Sequence, residues 1–376
     1  MVDIKNVLSG FKPAIVLDIF KSLFPAGKEL VGLDIGSNSL KLVEIVETPK
    51  KGYVLSRFSR IPLARGVVVD GVPVEQQELV LKIKELFKQS KCKRKGVVTS
   101  LSGHSVIVKK VTFPAMDDGE LRDLIKDEVG KYLPFENTEE VNFDFQILGE
   151  NEFNPSQMDV ILVAAKNDII TGYTDAIKEA GLNAVIVDVD SFAIETMYEE
   201  NYDIEENEMV VLINIGASIT NINVVKGGAS VFTRDFTLAG NSITEAVQQK
   251  LGIDFEEAER IKIEGPGGSE SEREEFRNSL LAYADPICSE IERSIDYFRS
   301  TYGGEYIKHV LISGGSAMIP GIVNDLSRRL GIEAEIANPF KKIGYNHEAL
   351  DPASIESIGL IAAVGIGLAL RRAGDR

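Results

Sequence analysis

The chain carries 376 residues with a formal net charge of −17, 44% hydrophobic and 26% charged side chains. That length suits two lobes of about 150–200 residues rather than one domain, and the composition is that of a soluble globular protein. The acidic excess argues against nucleic acid and anionic membrane surfaces as partners, because affinity for both is supplied by Lys and Arg.

Residues 1–27, with Pro13, Pro25 and Gly27 around a short amphipathic piece, Ile15–Phe24, read as a peripheral arm. Its Asp3 and Asp18 and the lack of a small-residue cleavage site do not fit a signal peptide. Leu30–Val46 alternates apolar and polar residues around a Gly-Ser turn, and a second alternating run follows Pro49–Gly52, the pattern of a β-meander. Leu79, Ile83 and Leu86 at helical spacing predict a helix over Val74–Lys88. Val97–Thr112 alternates again. Asp117–Leu133 reads as a helix capped by Asp117 with Glu120 and stopped by Pro134, its apolar stripe the core of an inserted subdomain. Strands are expected at Val141–Leu148, Met158–Ala165 and Val185–Val189, and helices at Asp168–Ala180 and Ser191–Glu200.

From Met209 the pattern starts again. Met209–Val225 is an alternating hairpin around Gly216, and Ala229–Thr237 pairs back to it. Helices Ser242–Leu251 and Phe255–Ile263 follow, then an acidic Ser- and Glu-rich loop opened by Gly265–Gly268, then one long helix over Glu274–Ser300. Strand Ile307–Ser313, a Gly-Gly turn, helix Ile319–Leu330 and closing helix Ile355–Arg372 complete the chain. No stretch reaches the roughly 20 apolar residues a membrane-spanning helix needs. Cys92 and Cys288 stand in no CxxC spacing, and His104, His309 and His347 in no metal-ligand spacing. These features favour a reducing, cytoplasmic setting and argue against structural zinc.

The internal duplication carries the functional argument. VGLDIGSNSLKLVEI from Val31 aligns with VLINIGASITNINVV from Val211, so that Asp34 falls on Asn214, Ile35 on Ile215 and Gly36 on Gly216. A strand–Gly–Ser–strand hairpin leaves backbone N–H groups free at its tip, and small residues let phosphate oxygens approach them. Gly36, Ser37, Asn38 and Ser39 offer such donors in the first copy, and Gly216, Ala217, Ser218 and Thr220 in the second. Lys41 brings a positive charge to a β- or γ-phosphate. Asp34 suits the waters of a bound Mg²⁺, an ion that prefers oxygen ligands.

In this order the motifs resemble those of the actin, hexokinase and heat-shock chaperone ATPase superfamily: two phosphate hairpins and an adenosine motif, HVLISGGSAMIPGIVNDL, with Gly314, Gly315, Ser316 and Met318. DFEEAERIK resembles the helix that contacts ribose and base, with Glu259 and Lys262 on one face; a solvent-facing ion pair is the other reading. Within the superfamily the chain is most similar to the PilM family of type IV pilus assembly proteins, relatives of FtsA. The run FPAMDDGELRDLIKDEVGKYLPF and VFTRDFTLAGNSITEAV carry that similarity. The resemblance implies an α/β, actin-like (ribonuclease H-like) duplicated fold, with two lobes around a nucleotide cleft and a small α/β subdomain inserted in the first. Residues 28–95, 160–190 and 355–376 would form the first lobe, 96–159 the insertion, 191–240 and 305–354 the second lobe, and 241–304 its outer subdomain.

The resemblance further implies ATP with Mg²⁺ as cofactors. The implied partner is the cytoplasmic N-terminal tail of a PilN-like inner-membrane protein within the pilus assembly machinery. The chain would then be cytoplasmic and recruited to the inner face of the inner membrane through that partner. Self-association is compatible with the family. Two departures bear on hydrolysis: Asn214 stands where many superfamily ATPases carry a second Asp near the metal, and Ala239-Gly240 replaces a Gly-Gly pair. Asn brings no negative charge, which implies slow turnover at most. Asp190 is the remaining candidate for a water- or metal-positioning carboxylate, a helix N-cap being its other reading. The alternative functions are an active ATPase or small-molecule kinase on the same fold. An FtsA-like division protein is a further one, although the chain ends soon after its last apolar helix, at Leu370–Arg372.

Overall fold

A computed structural model describes residues 30–49, 52–132, 140–151, 153–302, 306–346, 350, 352–373 and 375. The expected arm 1–27 and the helix stop at Pro134 lie outside them. Strands β1 (Val31–Ile35), β2 (Ser39–Thr48) and β3 (Gly52–Pro62) form the expected antiparallel meander. A short ribbon, β4 (Val68–Val69) and β5 (Val72–Pro73), leads into α1 (Gln76–Ser90), and β6 (Gly96–Leu101) then lies parallel to β1. The chain leaves through an insertion of β7 (Val106–Pro114), α2 (Asp118–Tyr132), β8 (Val141–Asn151) and β9 (Asn154–Lys166). It returns through α3 (Asn167–Glu179) and β10 (Asn183–Val189), which is parallel to β6. In the insertion, Leu121 and Ile125 of α2 pack against Phe113, Val160 and Leu162 of its three-stranded sheet, so the apolar stripe of that helix is core.

Helix α4 (Asp190–Asn201) crosses to the second lobe. There β11 (Met209–Ile215), β12 (Thr220–Lys226) and β13 (Ala229–Phe236) repeat the meander, followed by α5 (Gly240–Leu251) and α6 (Phe255–Glu264). Next come α7 (Glu270–Tyr283), α8 (Asp285–Thr301), β14 (Ile307–Ser313) and α9 (Ile322–Leu330). Strand β15 (Ala334–Ile336) closes this sheet, β16 (Gly344–Tyr345) pairs with β3 of the first, and α10 (Pro352–Leu370) ends the fold. The first sheet runs β16-β3-β2-β1-β6-β10 and the second β13-β12-β11-β14-β15, the five strands from β3 to β10 matching the second sheet in order. Each is a meander extended by two parallel strands, so the sequence duplication is a duplication of topology. Strand β1 is buried along its whole length, as expected where both faces of a sheet are covered.

Three expected helix boundaries are corrected. The acidic stretch after Gly268 is not loop. Ser269 accepts from the Glu272 N–H, while the Glu272 carboxylate takes the Ser269 N–H, a capping box that starts α7 at Glu270. Glu270 and Glu272 in the first turn also suit the positive end of the helix dipole. The long helix then breaks at Ala284, because Pro286 has no N–H and fits only in the first turn of α8. Likewise α9 starts at Ile322 rather than Ile319, after a 3-10 turn over Gly315–Met318 and a left-handed Gly321.

The lobes are joined where α4 and α10 pack on each other between the two sheets. Contact there requires residues without side chains. A Cβ on Gly367 would stand 1.7 Å from the Ala193 carbonyl oxygen, and one on Gly365 2.7 Å from Val43. Just past α10, Arg371 Nε donates to Asp188 Oδ2 at 2.6 Å, with side chains only 3% and 0% exposed. Breaking a buried pair leaves an uncompensated charge. Arg371→Ala is therefore expected to lower unfolding free energy by about 3–5 kcal/mol in urea titrations, and Gly367→Ala by about 3 kcal/mol through overpacking. Wild-type midpoints for both would mean this crossing is loosely held.

Candidate functional site

The two hairpin tips meet. Gly36 N–H donates to the Ser39 carbonyl at 3.2 Å, closing the first turn, and Gly216 N–H donates to the Ile219 carbonyl at 3.0 Å, closing the second. Ser218 Oγ then bonds Ser37 Oγ across the lobes at 2.5 Å, and Asn38 Nδ2 reaches Glu259 Oε1 at 3.3 Å. Behind this contact lies a cleft of about 570 Å³. From the first lobe it is lined by Asp34, Gly36, Ser37, Asn38, Ser39, Lys41 and Asp190. From the second it is lined by Asn214, Gly216, Ala217, Ser218, Glu259, Lys262, Gly314, Gly315, Ser316 and Met318. Thr220 is the exception among the expected residues. It is fully buried, and its hydroxyl is committed to the Leu238 carbonyl at 2.7 Å, because a residue paired with Ile215 points into the sheet.

Matching register gives the two hairpins matching side-chain pairs. Asp34 lies opposite Lys41, and Lys41 Nζ bonds Asp34 Oδ2 at 2.8 Å. At the corresponding positions Asn214 lies opposite Asn221, and Asn214 Nδ2 bonds Asn221 Oδ1 at 3.0 Å. An ion pair in one lobe is thus an amide pair in the other. Asn221 also lines the cleft, and sequence reading missed it. Its buried side chain bonds the Asp235 carboxylate opposite it on β13 and opposes the rise that burial gives that group.

At the other end, Gly314 needs its positive φ of 92° and its missing side chain, since a Cβ would meet the Ile215 carbonyl oxygen at 2.4 Å. Gly315 faces open space, with nothing within 4 Å of a Cβ. Ser316 Oγ and Gly240 N–H both donate to the Gly216 carbonyl, at 3.1 and 3.0 Å, tying the diglycine turn and α5 to the second hairpin. Gly240 has no room for a side chain, whereas Ala239 is accommodated in the core, so only the second glycine of the usual pair is required here. Glu259 and Lys262 pair at 2.6 Å with side chains 18% and 12% exposed, so they are not a solvent-facing pair. Lys262 also donates to the Gly240 carbonyl and Thr244 Oγ1. Arg273, Phe276, Arg277 and Leu280 of α7 complete this end. Arg273 was expected in a loop, although the Ser269–Glu272 spacing was the signal for a helix there, and Phe276, Arg277 and Leu280 were expected in a helix whose packing over the cleft no local pattern shows.

Asp190 is the first residue of α4, whose N-cap is Val189, so the capping reading does not hold. Its carboxylate instead accepts from Ser100 Oγ at 2.5 Å. Burial, reinforced by the charge of Asp34, pushes Asp190 up to about 7. Burial likewise lifts Asp235 to about 6, although it accepts the Gly103 N–H across the lobes at 2.6 Å. Among the described residues no group of three His, Cys, Asp or Glu side chains could hold a metal. The donor set fits a hydrated cation with one or two protein oxygens, the habit of Mg²⁺.

Comparison with known proteins agrees with this architecture. A family model described as type IV pilus assembly protein PilM matches residues 32–373. A solved PilM–PilN type IV pilus biogenesis complex contains a chain 27% identical, with TM-score 0.78, over 92% of this chain and 98% of that one. The ethanolamine utilization protein EutJ from Carboxydothermus hydrogenoformans shares the fold, with TM-score 0.54 and 16% identity over 95% and 94%. The cell division protein FtsA of Pseudomonas aeruginosa is 22% identical over 89% of each chain. The duplicated, two-lobed actin-like fold is therefore established for this chain.

Because the folded state raises the Asp190 pKa, it favours the protonated form. Its stabilising contribution is complete below about pH 4 and is lost as pH rises to about 7. Asp190→Asn keeps an acceptor for Ser100 and removes the titration. Its stability relative to wild type should grow between about pH 5 and pH 7.5, by about 1–2 kcal/mol since Asp190 keeps partial access to the cleft. A pH-independent difference in thermal melts would contradict the shift.

Proposed function

The chain belongs to the PilM family of type IV pilus assembly proteins, and from that membership we propose that it is a scaffold whose shape is set by a nucleotide held between its lobes. The observation that carries the reading is the meeting of two duplicated hairpins, Ser37 against Ser218, over a cleft that ends in a diglycine turn. Backbone N–H groups at both tips suit an anion, and the open face of Gly315 leaves free room at the other end.

ATP would rest its phosphates on Gly36–Ser39, Gly216–Ser218 and Lys41. Its ribose would lie near Glu259 and Lys262, and its base by Gly314, Gly315, Ser316 and Met318. Mg²⁺ would be held through waters by Asp34, with Asn214 as a neutral second acceptor, and would neutralise charge on the phosphates. With Asn214 in place of a carboxylate, the chain's own residues bind and orient rather than drive fast hydrolysis. Asp190, near neutrality and held by Ser100, is suited to position a water.

The partner reading extends from the PilM–PilN complex. The cytoplasmic N-terminal tail of a PilN-like inner-membrane protein would dock between the inserted sheet β7-β9-β8 and the first lobe. Among the described residues no helix is long and apolar enough to cross a membrane, and such a tail would bring the chain to the inner face of the membrane. Nucleotide occupancy controls the partner only to the extent that the tail prefers one lobe arrangement.

A fluorescent ATP analogue should bind Asp34→Ala and Gly315→Arg at least about tenfold more weakly than wild type, with melting temperatures held. Gly315 lacks a positive φ and faces space, so the arginine fills the cleft without straining the fold. Equal affinity in all three proteins would remove the nucleotide reading. A PilN-type N-terminal peptide that fails to bind with or without ATP would remove the partner reading.

A further inference from the structure

Resting on the nucleotide reading of the cleft but not on the partner reading, the geometry points to Ile219 as the joint that passes occupancy of the cleft to the inserted subdomain. Ile219 belongs to the second hairpin, whose turn it closes by taking the Gly216 N–H on its carbonyl. Its side chain crosses to the first lobe and seats in a notch between Gly71, in the turn joining β4 to β5, and Gly103, two residues past β6. Missing side chains make the notch. A Cβ on Gly103 would stand 2.8 Å from Ile219 Cδ1, and one on Gly71 3.4 Å from the same atom. Both glycines hold a positive φ, 79° at Gly71 and 68° at Gly103, so the backbone there also disfavours any larger residue. Ile219 is 9% exposed, an apolar knob of one lobe buried with the other.

The second lobe grips Gly103 at another point as well, since Asp235 on β13 accepts its N–H at 2.6 Å. What lies behind the notch gives the joint its use. Gly103 opens the 3-10 turn Gly103–Ser105, which runs directly into β7, the first strand of the insertion. The Gly71 carbonyl accepts from the Tyr173 hydroxyl of α3 at 2.9 Å, and α3 follows directly on β9, the last strand of the insertion. Both legs of the insertion therefore meet at the seat of one side chain from the second hairpin. A phosphate resting on Gly216–Ser218 would fix the turn that carries Ile219. A knob in a filled notch passes a shift on to its walls, because packed interiors do not yield gradually. The crossing of α4 and α10 joins the two sheets, whereas this notch joins a hairpin tip to the insertion. Occupancy moves the insertion only as far as the bound state prefers one seating of Ile219.

The test is hydrogen–deuterium exchange of the full chain, free and saturated with Mg-ATP, for wild type, Ile219→Ala and Asp235→Ala. In wild type, Mg-ATP is expected to slow amide exchange at least about threefold both at the hairpin tips and in β7 and β9. In Ile219→Ala the tips should still respond, while the change in β7 and β9 falls below about 1.5-fold; Asp235→Ala should cut that change by about half. An undiminished response of the insertion in folded Ile219→Ala overturns the proposal, the α4–α10 crossing then being the route. Equal loss at the tips and in the insertion also overturns it, since Ile219 would then serve the site itself. Wild type whose tips respond while its insertion does not overturns it too, a result that requires no variant to fold. Wild type in which neither region responds, and in which calorimetry detects no Mg-ATP binding, fails at the nucleotide reading itself.

Discussion

The backbone of Gly367 in α10 lies against the carbonyl of Ala193 in α4, at a distance no side chain can share. This crossing lets two helices thread between two sheets without prising them apart, and the rest of the site depends on it. With the sheets this close, hairpins that belong to different lobes come within hydrogen-bond reach, and Ser37 can touch Ser218. The buried Arg371–Asp188 pair ties the end of α10 to the strand that feeds α4. A charge pair without water is a poor source of net stability but a demanding geometric constraint. Here it holds in register the two segments that connect the lobes.

Duplication has been kept in backbone and relaxed in charge. Both sheets have one strand order, both hairpins close through one Gly N–H bond, and both present a cross-strand side-chain pair at the same place. The first lobe keeps Asp34 with Lys41 and the second has Asn214 with Asn221. An ion pair can counter a metal or a phosphate charge, whereas an amide pair can only orient hydrogen bonds. Under the proposed function, this asymmetry suits a clasp on a nucleotide better than a rapid ATPase.

Under the proposed nucleotide reading, so acidic a chain needs local compensation at its cleft. Lys41, Arg60, Lys262, Arg273 and Arg277 all line the cleft of a protein whose overall charge is −17. Walls of low dielectric let such groups act over short range while the surface acids keep the molecule soluble. Lys41 and Lys262 are already paired with carboxylates, so they contribute position as much as net charge. Asp190, lifted by burial, carries less than a full negative charge near neutral pH, which eases the approach of a further anion.

Much of this was legible from residues alone. Alternation and glycine turns marked both meanders, and the repeat of VGLDIGSNSLKLVEI as VLINIGASITNINVV declared two like lobes, because strand periodicity and turn chemistry are local. For the same reason most of the glycine and hydroxyl residues expected at the tips do line the cleft. What escaped was decided by partners distant in sequence. Thr220 looks like a turn donor but belongs to the sheet interior, which register alone determines. Helix α7 brings arginines and Phe276 over the cleft only through packing, and its acidic first turn imitates a loop. Asn221 is an unremarked polar residue in a strand until the sheet sets it beside Asn214 and opposite the buried Asp235. Composition and pattern reveal which residues can bond; only the folded neighbourhood determines which bonds are left to make.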